Sequence, residues 1–226
     1  ELKYLISVHD AQILKLKISH VLMPDKNAGE EKSYEVVSLY FDTPSYSCAE
    51  ENEAGYYSRF KYRLRTYNDG GVYNLELKKK MGDACLKTIH SLDRGTAFSL
   101  LEGAVLSPDK AEGIENFYAL RRSTLLKPAV VVRYKRTAFC GDADRVRITF
   151  DEDLCAAEAS PLRLQPPVFY TSDSLCVPIL PSGFCILEIK YDSFFPDYLK
   201  SILALSSRPQ LSVSKYVLCL KAVKGL

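Results

Sequence analysis

From Arg59 to Arg65 the chain alternates strictly, with Arg59, Lys61, Arg63 and Arg65 on one parity and Phe60, Tyr62 and Leu64 on the other. Successive side chains of a strand point to opposite faces, so this segment predicts a strand with one apolar face and one row of positive charge. A partner strand follows across Gly70-Gly71, which suits a tight hairpin turn. Asn74, Glu76 and Lys78 share one of its faces, and Tyr73, Leu75 and Leu77 the other. The same one-sidedness returns at Glu1 and Lys3, in Arg145, Arg147, Thr149 and Asp151 against Val146, Ile148 and Phe150, and at Glu188 and Lys190.

The remaining pattern supplies the elements between these strands. Glu1 to Ile6 reads as a first strand. Ser7 followed by Asp10 has the character of a capping box, and Ala11, Leu14, Ile18, Val21 and Leu22 recur at helical spacing as far as Pro24. Asp25 to Lys32 is a polar loop, and Ser33 to Phe41 is a strand ended by the turn residues Asp42-Thr43-Pro44. A lysine-rich turn over Lys78 to Asp83 leads to a strand from Cys85 to Leu92 that carries Lys87. Two helices are predicted next, one from Asp93 to Gly103 and one capped by Ser107 with Pro108 at its first position, running to Leu126 and closed by Pro128. Ala129 to Phe139 and Arg145 to Asp151 form a strand pair joined by Cys140 to Asp144. Residues 156–183, rich in Pro and Ser, read as a long excursion. Cys185 to Tyr191 is a last strand, Pro196-Asp197 opens a helix with Leu199, Ile202 and Leu203 on one side, and Ser212 or Ser214 opens the final one. With no internal repeat and no linker, residues 1–226 are expected to form a single domain.

Composition narrows the partners. Hydrophobic residues at 47% and charged residues at 26% are ordinary for a globular protein, and a net charge of +2 does not by itself mark a nucleic-acid binder. Any charge argument must therefore be local. The seven cysteines are scattered without a C-x-x-C pair and only three histidines are present, so neither a disulfide framework nor a zinc site is expected. Free thiols in a reducing, cytoplasmic compartment fit better. There is no apolar run of membrane-spanning length and no signal peptide. The strand pattern has already begun at Glu1, so the chain is expected to be a domain cut from a longer protein.

Strands that are charged on one face and apolar on the other, with amphipathic helices to cover the apolar faces, leave two arrangements. The charged faces point to solvent on an open sheet, or into the lumen of a closed one. A lumen of unpaired Arg and Lys is prohibitively costly without compensating anions, so closure implies water and a polyanionic ligand. The interspersed carboxylates look too few to neutralise the cations and could instead hold a divalent metal through oxygen. Arg forks match phosphate oxygens and Lys supplies point charges, which suits a linear string of phosphates. Nucleic acid is the weaker candidate, since a duplex needs an exposed basic patch.

In order along the chain stand E-L-K-Y, S-L-Y-F-D-T-P, K-Y-R-L-R-T-Y, L-E-L-K, R-T-A-F, R-V-R-I-T-F-D, L-E-I-K-Y and S-K-Y. This series resembles the VTC (vacuolar transporter chaperone) domain, a polyphosphate polymerase of the CYTH-like, triphosphate tunnel metalloenzyme superfamily. The resemblance implies an α+β fold in which eight antiparallel strands close into a tunnel with surrounding helices. It implies transfer of the ATP γ-phosphate onto a growing polyphosphate chain with Mn2+ or Mg2+. Carried over by motif, Arg136, Arg147 and Lys78 would be catalytic, and Lys3, Arg63, Arg65, Lys87, Tyr134, Lys190 and Lys215 would bind substrate, with Glu188 as the metal ligand. The implied partners are ATP and inorganic polyphosphate, with no nucleic acid and no membrane segment in this chain, which would lie in the cytoplasm or at the cytosolic face of a membrane protein. Arg59 and Lys61 extend the basic face but do not fall on the family's paired arginines.

One departure keeps alternatives open. Triphosphatases and class IV cyclases of the superfamily carry E-x-E-x-K in the first strand, and its first glutamate would lie two residues before Glu1. R-T-A-F and S-K-Y favour the polymerase. A hydrolase of tripolyphosphate or nucleoside triphosphates, with Glu76 or Glu1 orienting water, is the other enzyme, and a non-catalytic polyphosphate-binding module is the third reading.

Overall fold

The computed structural model describes residues 1–29, 31–68, 71–104, 113–141, 145–159, 176–204, 208–211 and 214–225. Among them run β1 (Leu2–Ser7), α1 (Val8–Ile18), β2 (Met23–Pro24), β3 (Tyr34–Asp42), α2 (Ser47–Glu53), β4 (Ser58–Tyr67), β5 (Val72–Met81), β6 (Ala84–Asp93), α3 (Arg94–Glu102), α4 (Glu115–Thr124), β7 (Lys127–Cys140), β8 (Arg147–Glu158), β9 (Val177–Pro178), β10 (Phe184–Lys190), α5 (Asp197–Leu203) and α6 (Lys215–Lys224). The fold is α+β, with an antiparallel sheet of 10 strands ordered β1-β10-β8-β7-β3-β4-β5-β6, β2 on β7 and β9 on β8. The longer strands thus make up the predicted number. Among the described residues the ladder runs from β1 to β6, with no pair joining these two edges.

The chain falls into two compact units. The first comprises Glu1–Glu35, Arg133–Cys155 and Pro178–Val213. Its core takes the apolar parity of each strand, Tyr4 and Ile6 from β1, Ile148 and Phe150 from β8, Leu187 and Ile189 from β10, and closes it with Leu14 and Ile18 of α1 and Leu199 and Leu203 of α5. Ser7 caps α1 by accepting from the Asp10 amide at 3.0 Å, so strand and helix meet without a loop. The second unit comprises Val36–Val132, Ala156–Val177 and Ser214–Leu226. Leu39, Phe41, Tyr62, Leu64, Tyr73 and Leu75 form the apolar face there, under Ala97 and Leu100 of α3 and Phe117 of α4. The Phe117 ring meets Phe41 and Tyr62 edge-on, each at 5.1 Å between centroids. In both units the alternation read from sequence decides which side chains are buried and leaves the opposite parity for chemistry.

Several boundaries differ from expectation. Helix α1 ends at Ile18, because the Val21 and Leu22 amides both fold back onto the Ile18 carbonyl, and Met23 and Pro24 leave to pair with Cys140 and Phe139. Val21 is exposed. The lysine run is not a turn: β5 continues through Met81, and the reversal is at Gly82, whose φ of +59° favours glycine. Helix α4 begins at Glu115, and Pro128 lies at the start of β7, where a missing amide is tolerated. Strand β8 runs on to Glu158, whereas Arg145 precedes it with φ +45° and pairs with Asp192 on the surface, so it is not part of the one-sided row. Helix α2 was not expected, since Ser-Cys-Ala-Glu-Glu-Asn-Glu carries no helical apolar repeat. Gly70, Ser107, Pro108, residues 142–144, 160–175 and Ser212 lie outside the described residues. All seven cysteines are free thiols. No helix among the described residues is long and apolar enough to cross a membrane.

Candidate anion-binding site

Two clusters of charge occupy the non-core strand faces, one in each unit. In the first, antiparallel register sets Lys3 opposite Glu188 and Glu188 opposite Thr149 across β1, β10 and β8. The buried Glu188 carboxylate meets Lys190 Nζ at 3.0 Å and Arg136 Nη2 at 3.9 Å. Arg136 is gripped harder by Asp151, Nε to Oδ1 at 2.6 Å and Nη2 to Oδ2 at 2.7 Å, and it lies over the Tyr134 ring at 5.1 Å. Burial works against its charge, but Tyr134, Asp151 and Glu188 more than offset that and hold the guanidinium pKa well above its usual value. Glu1 accepts from Lys3 at 2.8 Å and lies 3.6 Å from Lys190. Burial and Glu188 push its pKa up, yet Lys190 and Lys3 prevail and it is lowered. Arg147, on the same strand parity, turns its Nη2 to Asp25 (2.5 Å) and donates to the Tyr34 hydroxyl (3.0 Å), while its Nε is buried without a hydrogen-bond partner.

This corrects one expectation. Glu1, Asp25, Asp151 and Glu188 match Lys3, Arg136, Arg147 and Lys190 one for one, so the first cluster is close to neutral. Asp25 was invisible as a partner because it sits in a loop, and Asp151, though on the charged parity of its strand, gives no sign in sequence that it meets Arg136 on β7.

The second cluster is different in kind. Lys61, Lys78 and Lys87 stand opposite one another across β4, β5 and β6. The next row sets Arg63 opposite Glu76, and Arg65 faces Ser38 on β3 and Asn74 on β5. Arg63 spends Nε and Nη2 on Glu76 Oε2, at 2.9 and 2.5 Å, and donates Nη1 to the Tyr40 hydroxyl at 3.0 Å. Arg65 donates to Ser38 Oγ at 2.9 Å. Lys87 reaches Glu76 at 3.4 Å. Lys61 donates to Ser214 Oγ at 2.9 Å, at the start of α6, where Lys215 follows.

One carboxylate, Glu76, thus serves several cations. Burial raises its pKa, but Arg63, Arg65 and Lys87 outweigh burial and hold it below the usual carboxylate range. Conversely burial, then Arg63 and Arg65, depress Lys87 despite Glu76. Tyr40 is also lowered: burial opposes ionisation, and Arg63, Arg65 and Lys215 overcome it. Like charges placed opposite one another on neighbouring strands repel, so the lysine row favours an anion laid along it. Lys61, set aside in sequence because it misses the family's paired arginines, belongs to this row. Its parity with Arg63 was the available signal. Tyr40 and Ser38 were missed because hydroxyls in an apolar run look like core.

Among the described residues no group of three or more His, Cys, Asp or Glu is gathered as a metal site. Glu188 with Glu1 beside it offers oxygen donors only. Mg2+ and Mn2+ bind through one or two carboxylates together with phosphate oxygens, so this donor set fits such an ion arriving with a phosphate ligand better than a cage made by protein alone.

The VTC domain family model matches residues 1–224. The chain belongs to the VTC domain family. A protein from Bacillus halodurans named as a candidate adenylate cyclase shares its fold, with a TM-score of 0.53 at 16% identity over 94% of this chain and 91% of that one. The PH1819 protein from Pyrococcus horikoshii aligns with a TM-score of 0.48 at 13% identity over 98% of this chain and 97% of that one. No curated protein matches the chain. Membership in the VTC family ties this domain to polyphosphate or triphosphate chemistry and accords with the CYTH-like resemblance of its motifs.

Proposed function

We propose that this VTC domain is a polyphosphate polymerase that transfers the ATP γ-phosphate to the end of an inorganic polyphosphate chain. The observation that carries the reading is the row Lys61, Lys78 and Lys87 beside Arg63 and Arg65, with Glu76 as the shared counter-ion. Like charges brought level on neighbouring strands repel, and a linear polyanion laid along the row would relieve that repulsion.

Phosphoryl transfer proceeds through a loose transition state with charge on peripheral oxygens, so positioning and electrostatic stabilisation do most of the work. By the family resemblance, Lys78, Arg136 and Arg147 would be catalytic, and Lys3, Arg63, Arg65, Lys87, Tyr134, Lys190 and Lys215 would bind phosphates. The acceptor is a terminal phosphate that is already ionised at neutral pH, so no general base is needed. Glu188 would hold Mn2+ or Mg2+, which when bound neutralises phosphate oxygens and orients them. The closed tunnel, the single-domain organisation and a cytoplasmic setting belong to the same reading. As a water-orienting base, Glu76 is poorly suited, being held by Arg63 and Lys87.

The test is incubation of the domain with ATP and Mn2+, with polyphosphate resolved on a gel and free phosphate assayed in parallel. A ladder of chains supports polymerisation. Free phosphate alone assigns the chain to hydrolysis, and binding of tripolyphosphate without either product assigns it to a binding module.

A further inference from the structure

In the second unit a buried carboxylate shares the parity of Ser38 and Tyr40 on β3, the parity that pairs with Arg65 and Arg63, yet it forms no ion pair among the described residues. Asp42, at the end of β3, is 0% exposed. It accepts the amides of Thr43 at 2.7 Å, Cys48 at 2.9 Å and Ala49 at 3.0 Å, which ties the first turn of α2 to β3. It also accepts the hydroxyl of Tyr216, which is itself 1% exposed. A helix cap needs the amides alone; the phenol arriving from α6 is an additional commitment. The Tyr216 ring stacks on Tyr40 with centroids 4.7 Å apart and planes at 20°. The Tyr40 hydroxyl in turn accepts from Arg63 Nη1 at 3.0 Å. Lys215 directly precedes Tyr216, and Ser214 before it receives Lys61 at 2.9 Å.

From this chain of contacts we infer that Asp42, through the Tyr216 hydroxyl and the Tyr216–Tyr40 stack, is a positioning residue that holds Lys215 and Arg63 as one preorganised anion-binding pair. The inference rests on the anion-binding reading given above. Burial first, and then the Asp42 charge, keep the Tyr216 phenol protonated across the working pH range, so the hydroxyl always donates. Two χ angles of Tyr216 are fixed at both ends of the ring, and the first turn of α6 inherits that fixation. Placement matters here because a cation displaced by about 1 Å can lose on the order of a hundredfold in rate. The carboxylate touches no ligand in this arrangement and acts through two aromatic rings.

The test is a mutant cycle read by calorimetric binding of inorganic tripolyphosphate without metal. Tyr216→Phe keeps the stack and deletes only the hydroxyl, whereas Asp42→Asn turns an NH2 donor on backbone amides that Asp42 accepts and is expected to lower the melting temperature as well. Tyr216→Phe is expected to lose about tenfold in affinity while remaining folded, whereas the surface control Tyr198→Phe binds like the parent. On a Lys215→Ala background the Tyr216→Phe loss is expected to shrink, because the two changes remove the same contribution. A purely structural tyrosine would give additive losses. Parental affinity in Tyr216→Phe, or full additivity with Lys215→Ala, overturns the inference while leaving the proposed function standing. A parent chain that fails to bind tripolyphosphate overturns both.

Discussion

Lys61 on β4 and Lys78 on β5 face each other directly, and Lys87 on β6 extends the pair into a row. Opposed like charges on neighbouring strands cost a few tenths to about 1 kcal/mol. Lys61→Ala is therefore expected to raise the melting temperature slightly at low salt and to weaken tripolyphosphate binding. Added tripolyphosphate should reverse the order of the two melting temperatures. Thermal denaturation with and without the anion checks this; a variant less stable than the parent without ligand would mean that the row is not under electrostatic strain.

Glu76 governs the acid limb of stability. Its pKa in the folded chain is depressed, with burial opposed and outweighed by Arg63, Arg65 and Lys87. A depressed carboxylate contributes stability that is fully present above its unfolded pKa and is lost as pH falls through the folded value. Glu76→Gln is expected to cost on the order of 2 kcal/mol at pH 7, because Arg63 loses its charged acceptor. The gap between parent and variant should close as pH drops below the ordinary carboxylate range. Urea unfolding at neutral and strongly acidic pH measures the gap, and a constant difference would remove Glu76 from the pH dependence.

How much of this was legible in sequence follows from the physics of each signal. Alternation reports face, so the basic parity of β4 and the apolar cores of both units could be read directly. Register is set by pairing, and no local pattern announces that Lys61, Lys78 and Lys87 come level. Asp42 looked like turn chemistry, and its role as the buried acceptor for Cys48, Ala49 and Tyr216 needs contacts far apart in the chain. Helix α2 was illegible for the same reason: its start is supplied by that carboxylate and not by apolar spacing. Arg145 failed in the opposite direction, since a positive φ at one residue breaks an alternation that the sequence continues.

Lys87 should couple binding to protons. Burial, then Arg63 and Arg65, lower its pKa, so it begins to lose its proton at a pH below that of an ordinary lysine. A polyanion favours the charged form. Tripolyphosphate binding at alkaline pH is therefore expected to take up protons, seen as a binding enthalpy that varies with the ionisation enthalpy of the buffer, and affinity should fall as pH rises through the lysine's titration. In Lys87→Met the buffer dependence at that pH should largely disappear. Equal proton uptake in parent and variant would assign the linkage elsewhere.

Arg136 and Asp151 must be tested together. Asp151 is 0% exposed and its two oxygens take the Arg136 fork, so Arg136→Ala leaves a buried charge without its main partner. Breaking such a pair from one side costs about 3–5 kcal/mol. Lost activity in Arg136→Ala would then be inseparable from lost fold. Arg136→Ala combined with Asp151→Asn is expected to recover much of the stability and none of the activity. If the double variant regains turnover as well as its melting temperature, Arg136 is structural and its catalytic assignment falls.

Glu188 carries the metal assignment, and its surroundings decide which readout is informative. The carboxylate is shared between Lys190 and Arg136 and has Glu1 beside it, so any ion there competes with two cations until a phosphate engages them. Manganese alone is accordingly expected to bind weakly, and manganese with tripolyphosphate much more tightly, in a titration followed by the relaxation of water protons. Glu188→Gln should abolish that mutual enhancement. It should leave metal-free tripolyphosphate binding equal or somewhat tighter, because one negative charge has been removed from the cluster. Retention of the metal enhancement in Glu188→Gln would move the ion to other ligands. Metal-free binding that collapses in the variant would mean that the glutamate holds Arg136 and Lys190 in place and was never a metal ligand.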